Sequence, residues 1–179
     1  SFTGSSASGL AVAQLCAQRF ARVTLELGGK SSAILLDDVD FTEVKNQLWL
    51  AMLQNNGQVC GAQSRVLIPR SRAPELRAAL REMFEETVVG DPRSSETEVG
   101  PVVTAAAANR IRNTCTESAN QGAVLVSGTR EESDESATVP PRLYEVEDSD
   151  ADVWNEELFG PVACLRVYDT EEEAAGWAN

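Results

Sequence analysis

Apolar and polar positions follow two rhythms along this chain, and the rhythm switches repeatedly. Short apolar runs read as strands: residues 23–27, Ala33-Ile34-Leu35-Leu36, 65–68, Val124-Leu125-Val126, 143–146 and 162–168. The run at 33–36 is of the kind buried on both faces of a parallel sheet. Between the runs the spacing becomes helical. A helix over 6–20 places Val12, Leu15, Cys16 and Phe20 near one face. Asp40 with Glu43 marks a helix start, followed by the stripe Val44, Leu48, Ala51 and Met52. A helix over 74–87 turns Leu76, Leu80, Met83 and Phe84 inward and stops at Gly90-Asp91-Pro92. Thr104 caps the next one, which carries Ile111, Cys115 and Ser118 on one side and ends at Gly122. A last helix starts at Glu171. Strands alternating with helices predict an α/β fold, a mainly parallel sheet with flanking helices. No internal repeat interrupts the pattern.

Composition narrows the function more than the fold. With 179 residues, 42% hydrophobic and 24% charged, the chain can bury one sizeable core. Its formal charge of −13 repels phosphate backbones and anionic headgroups, so neither nucleic acid nor membrane is an expected partner. There is no histidine, which excludes a Ser-His-Asp or Cys-His pair and histidine metal sites within the chain. The four cysteines lie far apart with no Cys-x-x-Cys pair, so no zinc site is expected, and reduced thiols in a cytoplasmic protein are. The acidic cluster Asp148, Ser149, Asp150 and Asp152 lacks the glycine and distant glutamate of a calcium loop. The acidic, serine-rich run 130–141 reads as a solvated loop.

Three stretches carry candidate chemistry. In Asn55-Asn56-Gly57-Gln58-Val59-Cys60-Gly61-Ala62-Gln63-Ser64, a cysteine stands where a helix gives way to a turn, a setting in which a thiolate can reach a substrate. Alone, Cys60 reads as a small buried hydrophobe, the usual state of a free cysteine. Upstream, Glu26-Leu27-Gly28-Gly29-Lys30 places a glutamate in a β-prone run closed by a glycine pair; alone, that glutamate is a solvent-facing strand residue. Downstream stands Glu156-Glu157-Leu158-Phe159-Gly160-Pro161. The opening Gly4-Ser5 reads as a strand-to-helix turn, whose backbone N–H groups can meet a phosphate.

In this order, with Glu26 34 positions before Cys60 and Glu157 97 after it, the three stretches resemble the motifs of the aldehyde dehydrogenase superfamily. The resemblance runs over nearly the whole chain. It implies an enzyme that oxidises an aldehyde to a carboxylic acid with NAD or NADP. Cys60 would be the nucleophile, and Glu26 the base that activates water against the thioester. Gly4 and Ser5 would meet the cofactor pyrophosphate, Leu27 would contact the cofactor, Glu157 the nicotinamide ribose and Phe159 the ring beside it. Val59 and Gly61 would line the aldehyde pocket. Residues 1–29 would be the C-terminal remnant of the cofactor-binding domain. Residues 30–179 would be the catalytic domain, incomplete at its C-terminus, within a parent that is a homodimer or homotetramer. On this reading the chain is a piece that does not turn over alone. Two alternatives remain: a branch that passes the acyl group to coenzyme A, which commonly lacks the glutamate at the place of Glu26, and a silent domain that binds only a nucleotide or a partner.

Overall fold

The computed structural model describes residues 1–128, 137–147 and 150–179. The chain opens with β1 (Phe2–Thr3), α1 (Ser6–Ala17) and β2 (Leu25–Glu26), in which β1 and β2 pair in parallel as a two-stranded sheet of their own. Then follow β3 (Ser32–Ile34), α2 (Phe41–Leu53), β4 (Arg65–Pro69), α3 (Ala73–Glu86), α4 (Ala105–Asn120), β5 (Val124–Ser127) and β6 (Arg142–Glu145). The chain closes with α5 (Asp152–Asn155), β7 (Val162–Tyr168) and α6 (Glu171–Ala178). These strands form a five-stranded sheet in the order β3-β4-β7-β6-β5. All neighbours are parallel except β5 and β6. The expected α/β architecture with a mainly parallel sheet is what the chain adopts.

Side chains that alternate along each strand split the core into two layers. Val66, Ile68, Leu143, Ala163 and Leu165 join α2 and α3 through Leu48, Met52, Leu53, Leu76, Leu80, Met83 and Phe84. Leu67, Tyr144, Val162, Cys164 and Tyr168 join α4, α5 and α6 through Ala108, Ile111, Cys115, Trp154 and Ala174. A sheet covered on both faces explains the continuous apolar strands β4 and β7. The helices start where the sequence places them: Asp40 accepts from the Thr42 N–H at 2.9 Å, and Thr104 from the Ala107 N–H at 3.1 Å.

Three expectations need correction. The first helix ends at Ala17, and Phe20 lies beyond it with φ of 52°, 99% exposed. Among α1 residues only Gly9 is buried, against Leu27, while Leu10 and Leu15 face solvent. The run at 33–36 is not buried on both faces. It forms the edge strand, so Ala33 and Leu35 enter the core while Ile34 and Leu36 remain exposed. Most of the acidic run at 130–141 falls outside the described residues, as do Asp148 and Ser149. Its described end is no solvated loop, since Val139 is fully buried and Ala137 O accepts from the Val102 N–H at 2.9 Å. No helix among the described residues is long and apolar enough to cross a membrane.

Candidate active site

Each of the three motif stretches runs directly into a strand: Gly28-Gly29 into β3, Cys60 into β4, Glu157 into β7. Those strands are consecutive parallel neighbours in the sheet, so all three stretches emerge at one edge, the N-terminal ends of the strands. Parallel pairing therefore brings together residues that are far apart in sequence. Between them opens a cleft of about 490 Å³ lined by Thr3, Gly4, Ser5, Glu26, Leu27, Gly28, Cys60, Arg110, Glu157 and Phe159. Every residue singled out for catalysis or cofactor contact lies in that lining. Val59 and Gly61 do not. Val59 lines a separate, water-sized void of about 10 Å³ beside Lys30 and Glu157.

Cys60 is held on a short loop built by an unusual backbone. After α2, Asn55, Asn56 and Gly57 all take left-handed conformations, with φ of 53°, 57° and 69°. Non-glycine residues tolerate that region only when their surroundings enforce it. Here they do. Asn56 Oδ1 accepts from the Gly100 N–H and its Nδ2 donates to Pro101 O, both at 2.9 Å. Gln58 Oε1 accepts from the Val103 N–H at 2.9 Å. Gly57 lies so close to Gly160 that a Cβ would sit 2.2 Å from the Gly160 carbonyl oxygen. A turn closed by the Ala62 N–H on Val59 O then leaves Cys60 exposed at the cleft, where the bland reading had it buried.

The other two stretches meet across the cleft. A Cβ at Gly28 would fall 1.7 Å from Glu157 Oε2, so the carboxylate rests directly on that glycine. Glu157 Oε1 is buried and accepts no hydrogen bond from the described residues. Phe159, at φ of 53°, carries its side chain at the cleft and is 41% exposed. Glu26 is exposed at the end of β2, and its carbonyl accepts from the Gly4 N–H at 3.1 Å. Ser5 Oγ accepts from the Ser8 N–H as the cap of α1. The Gly4 N–H, the Ser5 Oγ and the Ser8 N–H are thus already engaged within the chain.

Behind the cleft, Lys30 is anchored by its carbonyl, which accepts from Arg65 at 2.5 Å. The same guanidinium donates to Trp177 O and Ala178 O at the end of α6. Loss of solvent holds the Lys30 ammonium below the usual lysine range, and the Arg65 charge adds to this, against the pull of Cys164 and Glu157. No group of His, Cys, Asp or Glu among the described residues could hold a metal ion. Arg110 was missed by sequence reasoning. Among the described residues it is the one cation in the cleft lining, it belongs to no motif, and nothing in the spacing of α4 singles it out.

The aldehyde dehydrogenase family model matches residues 1–179. The chain belongs to the aldehyde dehydrogenase family. Among curated relatives, a 3-succinoylsemialdehyde-pyridine dehydrogenase from a Pseudomonas species is 38% identical over 183 residues, matching all of this chain and 38% of the relative. Among solved structures, a mutant of aldehyde dehydrogenase C from Pseudomonas syringae, complexed with NAD+ and octanal, superposes with a TM-score of 0.92 at 37% identity. That match covers 99% of this chain and 37% of the other. A succinic semialdehyde dehydrogenase from Streptococcus pyogenes, complexed with NADP+, gives 0.93 at 30% identity, covering 99% and 39%. This aldehyde dehydrogenase chain thus spans about 38% of the length of the curated relatives it matches.

Proposed function

We propose that this chain is the cysteine-bearing part of an enzyme that oxidises an aldehyde to its carboxylic acid with NAD or NADP. The observation that carries the reading is the single cleft lined by Cys60, Glu26, Glu157 and Phe159. The residues fit a dinucleotide: Glu157 offers a buried acceptor without a partner among the described residues, suited to ribose hydroxyls, and Gly28 leaves room for its carboxylate. Phe159 would flank the nicotinamide ring, Leu27 would pack against the cofactor, and the N-terminus of α1 after Gly4 and Ser5 would face the pyrophosphate. Bound there, the cofactor supplies the acceptor for the hydride of the aldehyde C–H bond.

The chain's own residues do the rest. Cys60, as thiolate, adds to the aldehyde carbon and forms the C–S bond of a thiohemiacetal. Its oxyanion needs donors, and the Cys60 backbone N–H would be one of them. With the hydride gone, the acyl group remains on Cys60 as a thioester. Glu26 takes a proton from water, the hydroxide attacks the thioester, and the C–S bond breaks to release the acid and restore the thiol. Glu26 in the cleft favours this hydrolysis over transfer to coenzyme A. We assign residues 1–29 to the cofactor-binding side and 30–179 to the catalytic side, a division supported by the separate sheets. A homodimeric or homotetrameric, cytoplasmic enzyme is the matching biological unit, and four free cysteines accord with a reducing compartment.

The test uses a protein that carries this chain at its relatives' full length. Cys60→Ala should abolish NADH or NADPH formation from aldehydes. Glu26→Gln should slow steady turnover by about 100-fold, the size of a typical general-base contribution. In that variant an acyl adduct should accumulate on Cys60 and be visible by intact mass. Turnover that survives Cys60→Ala rejects the nucleophile assignment. Thioester breakdown at the unmodified rate in Glu26→Gln rejects the base.

A further inference from the structure

We infer that Arg110 is a positioning residue: it holds the strained Glu157–Phe159 segment in the shape that grips the cofactor. The inference rests on the cofactor reading above and deepens it. Arg110 Nη2 donates to Leu158 O at 2.8 Å and Nη1 to Glu157 O at 3.3 Å, so one guanidinium forks onto two successive carbonyls. These carbonyls immediately precede Phe159, whose left-handed backbone is costly for an aromatic residue. Such a conformation persists only where neighbours enforce it. The next residue of α4 helps from the other side: a Cβ at Gly160 would meet Ile111 Cδ1 at 2.4 Å, so Ile111 fills the space against which the segment turns. Two consecutive residues of one helix thus fix the segment on both sides of Phe159.

The same helix is tied to the nucleophile. The stretch leading into α4 carries the Gly100 N–H, Pro101 O and Val103 N–H, all bound to Asn56 or Gln58 of the cysteine loop. Asn56 and Gln58 hold one end of this bracket and Arg110 the other. The distance between Cys60 and the ribose-facing carboxylate is therefore set by α4, not only by the sheet. Arginine suits the task because its planar fork matches two carbonyls at once. A lysine ammonium, a point charge, cannot hold both with the same geometry.

The experiment compares Arg110→Met, Arg110→Lys and Glu157→Ala in a protein of the relatives' full length, and follows amide hydrogen exchange without cofactor in the same variants. Arg110→Met should raise the cofactor KM by about 10-fold, the equivalent of losing one charge-assisted hydrogen bond, and by more than it lowers kcat. Exchange at Leu158, Phe159 and Gly160 should quicken, while the rate of Cys60 alkylation stays within about 2-fold, as an unmoved nucleophile requires. Arg110→Lys should recover only part of the affinity. Weaker cofactor binding with unchanged exchange overturns the inference, because Arg110 would then act as a charge on the cofactor itself. Full recovery by lysine overturns it too. Should Glu157→Ala weaken the cofactor while Arg110→Met does not, Arg110 alone is wrong. If neither variant matters, the cofactor reading falls with it.

Discussion

Cys60 and Cys164 carry the same thiol in opposite surroundings. The first is exposed at the cleft; the second lies in the core, where its Sγ approaches Ser64 O and Val153 O at 3.5 Å. Burial pushes the Cys164 thiol up to about 11 from 9.0, with Lys30 and Arg65 pulling the other way. The raised value means the folded chain keeps the proton that the unfolded chain gives up. Stability from this group is full below about pH 9 and is lost as pH rises through about 11. Over that window it should cost up to about 1.4 kcal/mol per pH unit. Lys30 has the opposite sign, since its lowered value relieves a burial cost as pH rises. The measurement is therefore a difference: unfolding free energy of Cys164→Ala should fall less steeply between pH 9 and 11 than that of the unchanged chain. Equal slopes would show that the Cys164 thiol does not titrate in this way. At this scale the sequence was uneven. Glu26, Cys60 and Glu157 were legible because each sits in a string of characteristic neighbours. Arg110 was not, because its partners are backbone carbonyls 47 and 48 positions away, which leave no trace in residue identity.

Among the elements, the helices whose apolar faces meet the sheet were the legible ones. The stripes of α3 and α4 read in sequence are those buried in the structure. Where an element lacks a covering neighbour, the pattern misled: α1 has apolar residues and buries almost none, and β3 has a core-like run but stands at an edge. The left-handed turn at Asn55–Gly57 was legible only as the point where a helix gives way to a turn, since asparagine in that region depends on tertiary clamps. Gly57→Ala tests the element. At φ of 69° and with the Gly160 carbonyl 2.2 Å from the new Cβ, alanine should cost about 2–3 kcal/mol by denaturant titration. It should also slow Cys60 alkylation, because the loop must shift to relieve the clash. Stability and alkylation both unchanged would mean that the turn does not fix the thiol.

Viewed whole, the described residues form a five-stranded core beside a thin β1-α1-β2 unit. Leu10 is 60% and Leu15 62% exposed on that unit. Two strands and one helix are too few to form a dinucleotide crevice at a change of strand order. Residues 1–179 alone should therefore give no NADH from a panel of aldehydes and NAD, even where Cys60 is still alkylated. Cys60-dependent NADH from the purified chain, absent in Cys60→Ala, would disprove this. The convergence of three stretches at one sheet edge was implicit in their order and spacing once a parallel sheet was granted. The bracket made by α4 was not, since it runs through hydrogen bonds to main-chain atoms. That bracket has a practical meaning for recombining relatives. Swapping in a foreign cysteine loop without residues 100–111 would pair Asn56 and Gln58 with a seat shaped for other side chains. The smallest transplantable module is therefore not the motif but the motif together with its helix, and chimeras cut between the two should be the ones that lose activity.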